Sequence, residues 1–400
     1  MIAAGPRGYQ GKPCPWPSGV LPCSIERSIL PRGWYAGNHN RHALLEKEGL
    51  MRLQCLCTLV LVSVLVLTTT VFAQTTLEKV NARGKLVCGV NTGLAGFAAR
   101  GSDGMWSGFD VDYCRALAAA IFNDASKVEF RPLSAQQRFT ALQSGEIDVL
   151  SRNTTWTLSR DASLGLDFGP TLFYDGQGMM MPVELHWKLG SSGPRLSLGP
   201  QLTVEDLKGA SVCVQTGTTT ELNLADFSRR HNVKFAPVVF ETPEQAFAAY
   251  NSGRCKLITS DISQLLAYKT TLTRPNDHAI LSVVMSKEPL GPVVRQDDHQ
   301  WFDIIKWVAF GLIEAEEQGI ASDNIQQLST SPAPAMRYLL GGEGNLGAML
   351  GLRNDFMASV IRQVGNYGEI FDRNLRPLNL VRGMNALWTA GGLLYAPPFR

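Results

Sequence analysis

Short apolar runs alternate with amphipathic stretches along most of the chain, a pattern typical of α/β proteins. The first series contains predicted strands at 85–90, 127–133 and 147–152 and predicted helices at 109–122 and 136–143. The second series contains strands at 211–215, 234–240 and 256–259 and helices at 219–230 and 243–252. A Gly-, Ser- and Pro-rich stretch at 190–200 separates the two series. We therefore expect two small α/β lobes.

After the second series, the pattern predicts strands at 280–284 and 291–295 and a long helix at 300–318. The last seventy residues are predicted as helical fragments broken by Gly and Pro. Gly342, Gly344 and Gly347 match a dinucleotide-binding spacing, but no predicted strand precedes them, so we interpret them as a loop.

The N-terminal 73 residues have a different pattern. Arg52, the apolar run LVLVSVLVL at 59–67 and the small residue Ala73 form the parts of a secretory signal peptide. We expect residues 51–73 to be that peptide, cleaved after Ala73. Residues 1–50 hold thirteen Gly and Pro and no periodicity, so they are expected to be disordered or untranslated. The alternative is an uncleaved membrane anchor, since 53–73 nearly spans a bilayer.

Composition narrows the class of protein. The 400 residues are 45% hydrophobic and 18% charged, which supports sizeable cores and excludes global disorder. The net charge is only +2 without a long basic run, so we expect no nucleic-acid partner. Without positions 1–73, thirty Lys and Arg remain against thirty-two Asp and Glu. Cysteine and histidine spacing matches no zinc motif, and no metal or cofactor is expected.

Four cysteines remain beyond residue 73: Cys88, Cys114, Cys213 and Cys255. An even number in an exported protein is compatible with two disulfides or with buried thiols. We predict the pairs Cys88–Cys114 and Cys213–Cys255, because each pair falls on neighbouring elements of one lobe.

Ligands of open α/β sheets bind at the carboxyl ends of strands, so the residues after each predicted strand are candidate site residues. Asn153, Thr155 and Arg160 follow the third strand. Hydroxyl and amide donors near a planar guanidinium suit a carboxylate. The alternative is a polar turn and helix cap, with Arg160 paired to Asp161 or Asp167.

Two further strand ends lie in the second lobe. Gly217 and Thr219 precede a helix and offer backbone N–H groups to an anion, although alone they indicate only a well-capped helix. Asp261 can accept from an ammonium group or cap the helix expected at 262–269, and the two roles are compatible.

Together these segments resemble the type II periplasmic solute-binding proteins of amino-acid ABC transporters, in particular the general L-amino acid-binding branch (glutamate/glutamine/aspartate/asparagine). The resemblance covers residues 76–400. It is carried by CGVNTGLAGF at 88–97, GFDVDYC at 108–114, RFTALQSGEIDV at 138–149, NTTW at 153–156, QTGTTTE at 215–221 and GGLLYAPPFR at 391–400.

The resemblance implies a two-lobed type II periplasmic-binding-protein fold of class α/β with two hinge crossovers, near 174–181 and 280–284. It divides the mature chain into 74–175 and 282–400 for the first lobe and 176–281 for the second. The last segment includes a mostly helical C-terminal extension.

The resemblance also implies roles for single residues. Arg160 would bind the ligand α-carboxylate with help from Thr155 and Thr219, and Asp261 would bind the α-ammonium. Arg138 would face an acidic side chain; the alternative is that it pairs with Glu146 or Asp148 on the surface. Relatives often carry an acidic residue at the position that matches Asn91 and an aromatic residue at the position that matches Leu94. This chain departs from the family pattern at both positions.

The implied function is capture of free L-amino acids in the periplasm for delivery to an ABC permease. Two alternatives remain. An enzyme of the same fold, such as a dehydratase or peptidoglycan lyase, needs an acid or base with a tuned pKa at the cleft, and no histidine lies at a predicted strand end. A sensor subunit would use the same binding chemistry.

Overall fold

A computed structural model describes residues 74–184 and 204–400. The expectations for residues 1–50, for the signal peptide at 51–73 and for the linker at 190–200 lie outside the described residues. Among the residues that are described, no helix is both long and apolar enough to cross a bilayer.

The strands are β1 Leu86–Asn91, β2 Ala99–Arg100, β3 Trp106–Ser107, β4 Val128–Leu133, β5 Val149–Leu150, β6 Leu166–Phe168, β7 Phe173–Pro182, β8 Ser211–Gln215, β9 Ala236–Phe240, β10 Leu257–Asp261, β11 His278–Ile280, β12 Lys287–Leu290 and β13 Val293–Arg295. The helices are α1 Thr76–Arg83, α2 Phe109–Phe122, α3 Gln137–Gln143, α4 Leu158–Ser163, α5 Thr219–Arg230, α6 Pro243–Asn251, α7 Ile262–Lys269, α8 His299–Glu317, α9 Ile325–Leu328, α10 Pro334–Leu339, α11 Leu346–Met349, α12 Phe356–Val364 and α13 Tyr367–Asn374.

These elements build two large sheets, one in each lobe, and β2 and β3 form a separate two-stranded sheet. The first sheet has the order β4-β1-β5-β13-β6, with β1 parallel to β4 and β5. The second has the order β11-β7-β10-β8-β9, with β8 parallel to β9 and β10. Parallel central strands are covered on both faces, which explains why all six residues of β1 are buried. The predicted two-lobed α/β fold is confirmed.

Strand β7 joins the lobes. Its first half, Phe173–Gly176, pairs antiparallel with β12, and its second half pairs with β10 and β11 in the second sheet. The chain returns through β12 to β13, which lies in the first sheet. We call β7 and β12 the hinge strands. The strand predicted at 280–284 is wrong in position: β11 ends at Ile280 and the next strand begins at Lys287.

Helix α2 packs against the first sheet and against the C-terminal helices. One continuous core joins Leu117 on α2, Val149 on β5, Ile305 on α8, Met357 on α12 and Phe371 on α13. The C-terminal extension is therefore part of the first lobe, and it is mostly helical as predicted.

Local sequence explains the elements that carry the site. Thr218 caps α5 by accepting from the amide of Glu221, and Thr242 and Gln245 form a reciprocal capping box on α6. Gly89 lies in the middle of β1, where a Cβ would stand 2.5 Å from Ile147 Cδ1. Only glycine fits such a close approach without displacing a neighbour.

The described part of the chain contains two disulfides, and both predicted pairings are confirmed. Cys88 on β1 is bonded to Cys114 on α2, with Cα atoms 6.3 Å apart. Cys213 on β8 is bonded to Cys255, just before β10, with Cα atoms 5.6 Å apart. Each bond lies within one lobe, so neither restricts movement between the lobes.

Removing the second disulfide with Cys213→Ala and Cys255→Ala should lower the free energy of unfolding. The bond closes a loop with a sequence separation of 42 residues. A disulfide across a loop of this length stabilises the folded protein by about 2–4 kcal/mol. Denaturant titration of the double variant beside the wild type measures the loss. Four alkylatable thiols in native protein comprising residues 74–400 would contradict both disulfides.

Candidate functional site

Side chains from both lobes meet at the strand ends and enclose a narrow cavity of about 20 Å³. Six of the eight predicted site residues line it: Asn91, Arg138, Asn153, Thr155, Thr219 and Asp261. The other lining residues are Arg152, Gln215, Thr218, Thr220, Ser260 and Gln264. We call this space the interlobe cavity. Four of these adjoin predicted residues along the chain, whereas Gln215 ends β8 and Gln264 lies on α7.

Asp261 offers an unpartnered acceptor to this cavity. It occupies the N-cap position of α7, yet its carboxylate makes no capping hydrogen bond, and its buried Oδ1 has no partner. Burial raises the pKa of Asp261 well above its ordinary value, the charges of Asp175 and Glu288 raise it further, and Arg138 and Arg160 oppose the shift. A bound cation would relieve this unfavourable burial of negative charge.

Arg138 offers the complementary donor. Its side chain on α3 is 3% exposed, and the buried Nε has no hydrogen-bond partner. The alternative that Arg138 pairs on the surface is wrong, because Glu146 instead pairs with Arg131 and Asp148 with Arg83. Burial lowers the pKa of Arg138 well below its ordinary value, and Arg152 and Arg160 add to that shift. An anion in the interlobe cavity would stabilise this cluster of cations.

Arg160 and Gly217 adjoin the cavity without lining it. Arg160 Nη1 donates to the carbonyl oxygen of Thr155 at 2.9 Å, and its guanidinium lies 5.3 Å from the centre of the Phe139 ring. The guanidinium of Arg138 lies 4.8 Å from the same ring centre, so Phe139 holds both arginines beside the cleft. Gly217 has φ +72°, and a Cβ there would stand 3.0 Å from Gln136 Cγ of the other lobe.

Glu288 on the hinge strand β12 is a site residue that the sequence analysis missed. Its carboxylate is 1% exposed and accepts hydrogen bonds from Thr155 at 2.6 Å, Thr219 at 2.9 Å and Asn223 at 2.8 Å. The hydroxyl of Ser286 also donates to it. Thr155 lies 133 residues and Thr219 lies 69 residues from Glu288 along the chain, and the fold brings both hydroxyls to one carboxylate oxygen.

The two departures from the family pattern have structural consequences. Leu94 is 1% exposed and packs in the core of the first lobe, so it forms no lid over the cavity. Asn91 donates from Nδ2 to Asn153 Oδ1 at 2.9 Å. The second lobe closes over this region instead: Tyr268 on α7 donates to the carbonyl oxygen of Gly93 at 3.2 Å and contacts Glu244 at 3.0 Å.

Tyr268→Phe removes the hydroxyl that bonds to Gly93 across the lobes, so it should weaken ligand affinity by shifting the lobes toward an open arrangement. One hydrogen bond contributes about 0.5–1.5 kcal/mol, which corresponds to a loss of roughly 2–12-fold. Titration calorimetry measures it. The loss should be the same for every ligand, since the hydroxyl contacts only protein; a ligand-dependent loss would contradict this role.

Asp110 supports the loop beneath the cavity. Asn153 has φ +31°, in the left-handed region that asparagine tolerates, and its amide donates to Asp110 Oδ2 at 3.0 Å. Burial raises the pKa of Asp110 from 3.8 to about 6, although the hydrogen bonds from Asn153 and Ser151 and the charge of Arg152 lower it. Arg152 itself lines the cavity, and burial lowers its pKa to about 10.

The raised pKa of Asp110 predicts a pH-dependent stability. Between pH 3.8 and about 6 the folded chain keeps a proton that the unfolded chain has lost, so the contribution of Asp110 to the free energy of unfolding falls as the pH rises through that window. Asp110→Asn should remove this effect. The stability of the variant minus that of the wild type should increase from pH 4 to pH 6 and then level off, by on the order of 3 kcal/mol. A flat difference in denaturant titrations would contradict the assignment.

A larger groove of about 600 Å³ lies on the first lobe between Trp106, Arg115 and Arg373. Both arginines pair with Asp112, which is buried, and each also donates to a backbone carbonyl oxygen, so the polar groups of this groove already have protein partners. The interlobe cavity, where a carboxylate oxygen and a guanidinium nitrogen lack partners, is the better candidate site.

Comparison with known proteins places this geometry in a family. Three similar proteins each match 81% or 82% of the chain. The General L-amino acid-binding periplasmic protein AapJ of Rhizobium johnstonii is 52% identical over 93% of its own length. The Glutamate/glutamine/aspartate/asparagine-binding protein BztA of Rhodobacter capsulatus is 47% identical, also over 93% of its length. A solved structure of a periplasmic binding protein from Brucella ovis with glutathione bound is 51% identical over its whole length, with a TM-score of 0.76.

A family model also matches residues 86–320, which include both sheets, the hinge strands and every residue of the interlobe cavity. The chain therefore belongs to family 3 of the bacterial extracellular solute-binding proteins.

Proposed function

We propose that this protein is the periplasmic substrate-binding component of an amino-acid ABC transporter, which binds free L-amino acids with acidic or polar side chains between its lobes. The observation that carries the proposal is the pair of unpartnered buried atoms, Asp261 Oδ1 and Arg138 Nε, at one cavity. A ligand with a cation and anions in close proximity satisfies both. The names of AapJ and BztA, which specify amino acids, support this class of ligand.

The proposed roles follow from charge and position. Asp261 receives the α-ammonium, and Arg160 rotates from the carbonyl of Thr155 to receive the α-carboxylate, assisted by the N–H groups at Gly217 and Thr219. Arg138 receives an acidic side chain. Asn91 and Asn153 complete the wall of the site on the first lobe.

Ligand entry requires the lobes to separate. A cavity of about 20 Å³ has room for roughly one water molecule, far less than an amino acid. We propose that the lobes open about the hinge strands, that a ligand bridges them, and that the closed liganded form is recognised by the permease. The ligand stabilises closure because its opposite charges contact different lobes.

The proposal includes export and domain boundaries. Residues 51–73 act as a signal peptide, and cleavage after Ala73 leaves Gln74 as the mature N-terminus. The first lobe comprises 74–175 and 282–400, and the second comprises 176–281. Intact mass of periplasmic protein tests the cleavage: a species that retains 59–67 would support a membrane anchor instead.

Titration calorimetry of residues 74–400 against the common L-amino acids tests the function. A Kd near one micromolar, about −8 kcal/mol, is expected for glutamate, glutamine, aspartate or asparagine. The ligand should be recovered unchanged, in keeping with a binding protein; a chemically altered product would support the enzyme alternative. Absence of binding to every amino acid would overturn the proposal.

Glutathione is a second candidate ligand, because the relative from Brucella ovis holds it. Its γ-glutamyl residue carries a free α-ammonium and a free α-carboxylate, the same groups as glutamate. The same titration with glutathione, alone and in competition with glutamate, distinguishes the two. A Kd for glutathione below that for glutamate would favour the peptide.

A further inference from the structure

Glu288 accepts hydrogen bonds from the hydroxyl groups of both Thr155 and Thr219. Its Oε2 lies 2.6 Å from Thr155 Oγ1 and 2.9 Å from Thr219 Oγ1, and the two hydroxyl oxygens are 3.3 Å apart. Both hydroxyls thus meet the same carboxylate oxygen. Thr155 lies in the loop after β5, beside β12, whereas Thr219 lies in the first turn of α5, so this arrangement joins groups from both lobes at the hinge strand.

The hydroxyl protons of Thr155 and Thr219 are constrained by the Glu288 carboxylate beside them. Each threonine hydroxyl has one proton and two lone pairs, whereas a carboxylate can only accept. In the structure both hydroxyls donate to Glu288 Oε2. This arrangement directs both protons toward the carboxylate. The lone pairs that remain are then directed outward, and both threonines line the interlobe cavity.

We propose that Glu288 is a positioning residue that makes the side chains of Thr155 and Thr219 hydrogen-bond acceptors toward the ligand. This inference rests on the proposed function and adds a role for the two threonine hydroxyls. Acceptors suit the α-ammonium, whose three N–H groups can reach two hydroxyls and the unpartnered Asp261 Oδ1. The family resemblance assigns both threonines to the α-carboxylate; with Glu288 present, only their backbone N–H groups can serve that anion.

Glu288→Gln reverses this polarity. The amide of Asn223 donates to one side of residue 288, so the new carboxamide turns its oxygen to Asn223 and its NH₂ to the threonines. The hydroxyl protons must then point into the cavity, toward the ammonium. We expect glutamate to bind at least tenfold more weakly to this variant. The exposed residue Glu146 provides a matched control, since Glu146→Gln makes the same chemical change outside the site.

Two glutamate analogues show whether the lost affinity belongs to the α-ammonium or to the α-carboxylate. Isoglutamine keeps the ammonium and has a neutral carboxamide in place of the α-carboxylate, while 2-oxoglutarate keeps the carboxylate and lacks the ammonium. Glu288→Gln should weaken the binding of isoglutamine by the same factor as that of glutamate. It should leave the Kd of 2-oxoglutarate within about twofold of the wild-type value. Loss for glutamate without loss for isoglutamine would overturn the proposal, because it would mean that the threonines serve the carboxylate.

Thr219→Val provides a second route if Glu288→Gln does not fold. It removes one acceptor and should produce the same selectivity between isoglutamine and 2-oxoglutarate, whereas equal losses for all ligands would indicate a merely structural role and overturn the proposal. Unchanged glutamate binding in a folded Glu288→Gln variant would do the same. A wild type that binds no amino acid would refute the proposed function itself, which separates the two failures.

Discussion

Replacing Arg160 by Ala should weaken the binding of every amino acid by a similar factor. All amino acids present the same α-carboxylate. Arg160 lies in the first turn of α4, and its guanidinium is bonded to the carbonyl oxygen of Thr155. Loss of a buried charge-assisted partner costs about 2–5 kcal/mol, which moves a micromolar Kd to roughly 30 micromolar or several millimolar. Titration calorimetry with glutamate, glutamine and alanine measures the factor for each ligand.

Arg138→Ala is the matched control for that experiment. Arg138 is buried beside the same Phe139 ring, and we assign it to the ligand side chain. The substitution should therefore weaken glutamate and aspartate much more than glutamine or alanine. Equal losses for charged and neutral ligands would contradict the assignment of Arg138 to selectivity.

Asp261→Asn should also weaken all amino acids, by about 2–5 kcal/mol, since the ammonium loses its charged partner. The carboxamide is close in size to the carboxylate, so the cavity keeps its shape. The melting temperature of the free variant should be at least that of the wild type, because a carboxyl group whose pKa is raised by burial has been replaced by a neutral carboxamide.

The pH dependence of ligand affinity distinguishes the contribution of the charge of Asp261 from that of its shape. The pKa of Asp261 is raised, so lowering the pH protonates the free site, and only the ionised carboxylate attracts the ammonium. Wild-type affinity should therefore fall as the pH is lowered through that pKa, and Asp261→Asn should be much less sensitive. Equal pH dependence in both proteins would show that another group titrates.

The sequence predicted those parts of the fold that have local causes. Helices α2 and α5 and strand β8 have the predicted bounds, because the amphipathic period of the helices is clear and Thr218 caps α5. Strand β5 is shorter than predicted, with only Val149–Leu150 in place of 147–152. The chain turns at Asn153 to meet Asp110, a contact across 43 residues that no local pattern indicates.

The hinge was harder to predict. Strand β12 contains Pro289, which lacks the N–H that an interior strand uses, so its sequence does not indicate a strand. It forms because β7 pairs with it from more than a hundred residues away. Glu288 was missed for the same reason, since its partners Thr155 and Thr219 are 133 and 69 residues distant.

The site residues that the sequence identified share a different property. Asn153, Thr155, Thr219 and Asp261 directly follow strands or open helices, where the α/β architecture concentrates ligand contacts. What the sequence could not supply is which of their atoms are already engaged by other protein groups. That distinction separates Asp261 Oδ1, which has no partner, from the threonine hydroxyls bound to Glu288.

All of these roles require an amino-acid zwitterion to bridge the two lobes between Asp261 and Arg160. A crystal structure of residues 74–400 with L-glutamate would show whether it does. We expect the ammonium nitrogen within about 2.7–3.2 Å of Asp261 Oδ1 and the α-carboxylate on the guanidinium of Arg160, with the side-chain carboxylate facing Arg138. Glutamate bound in the groove beside Arg115 and Arg373, or with its ammonium away from Asp261, would contradict it.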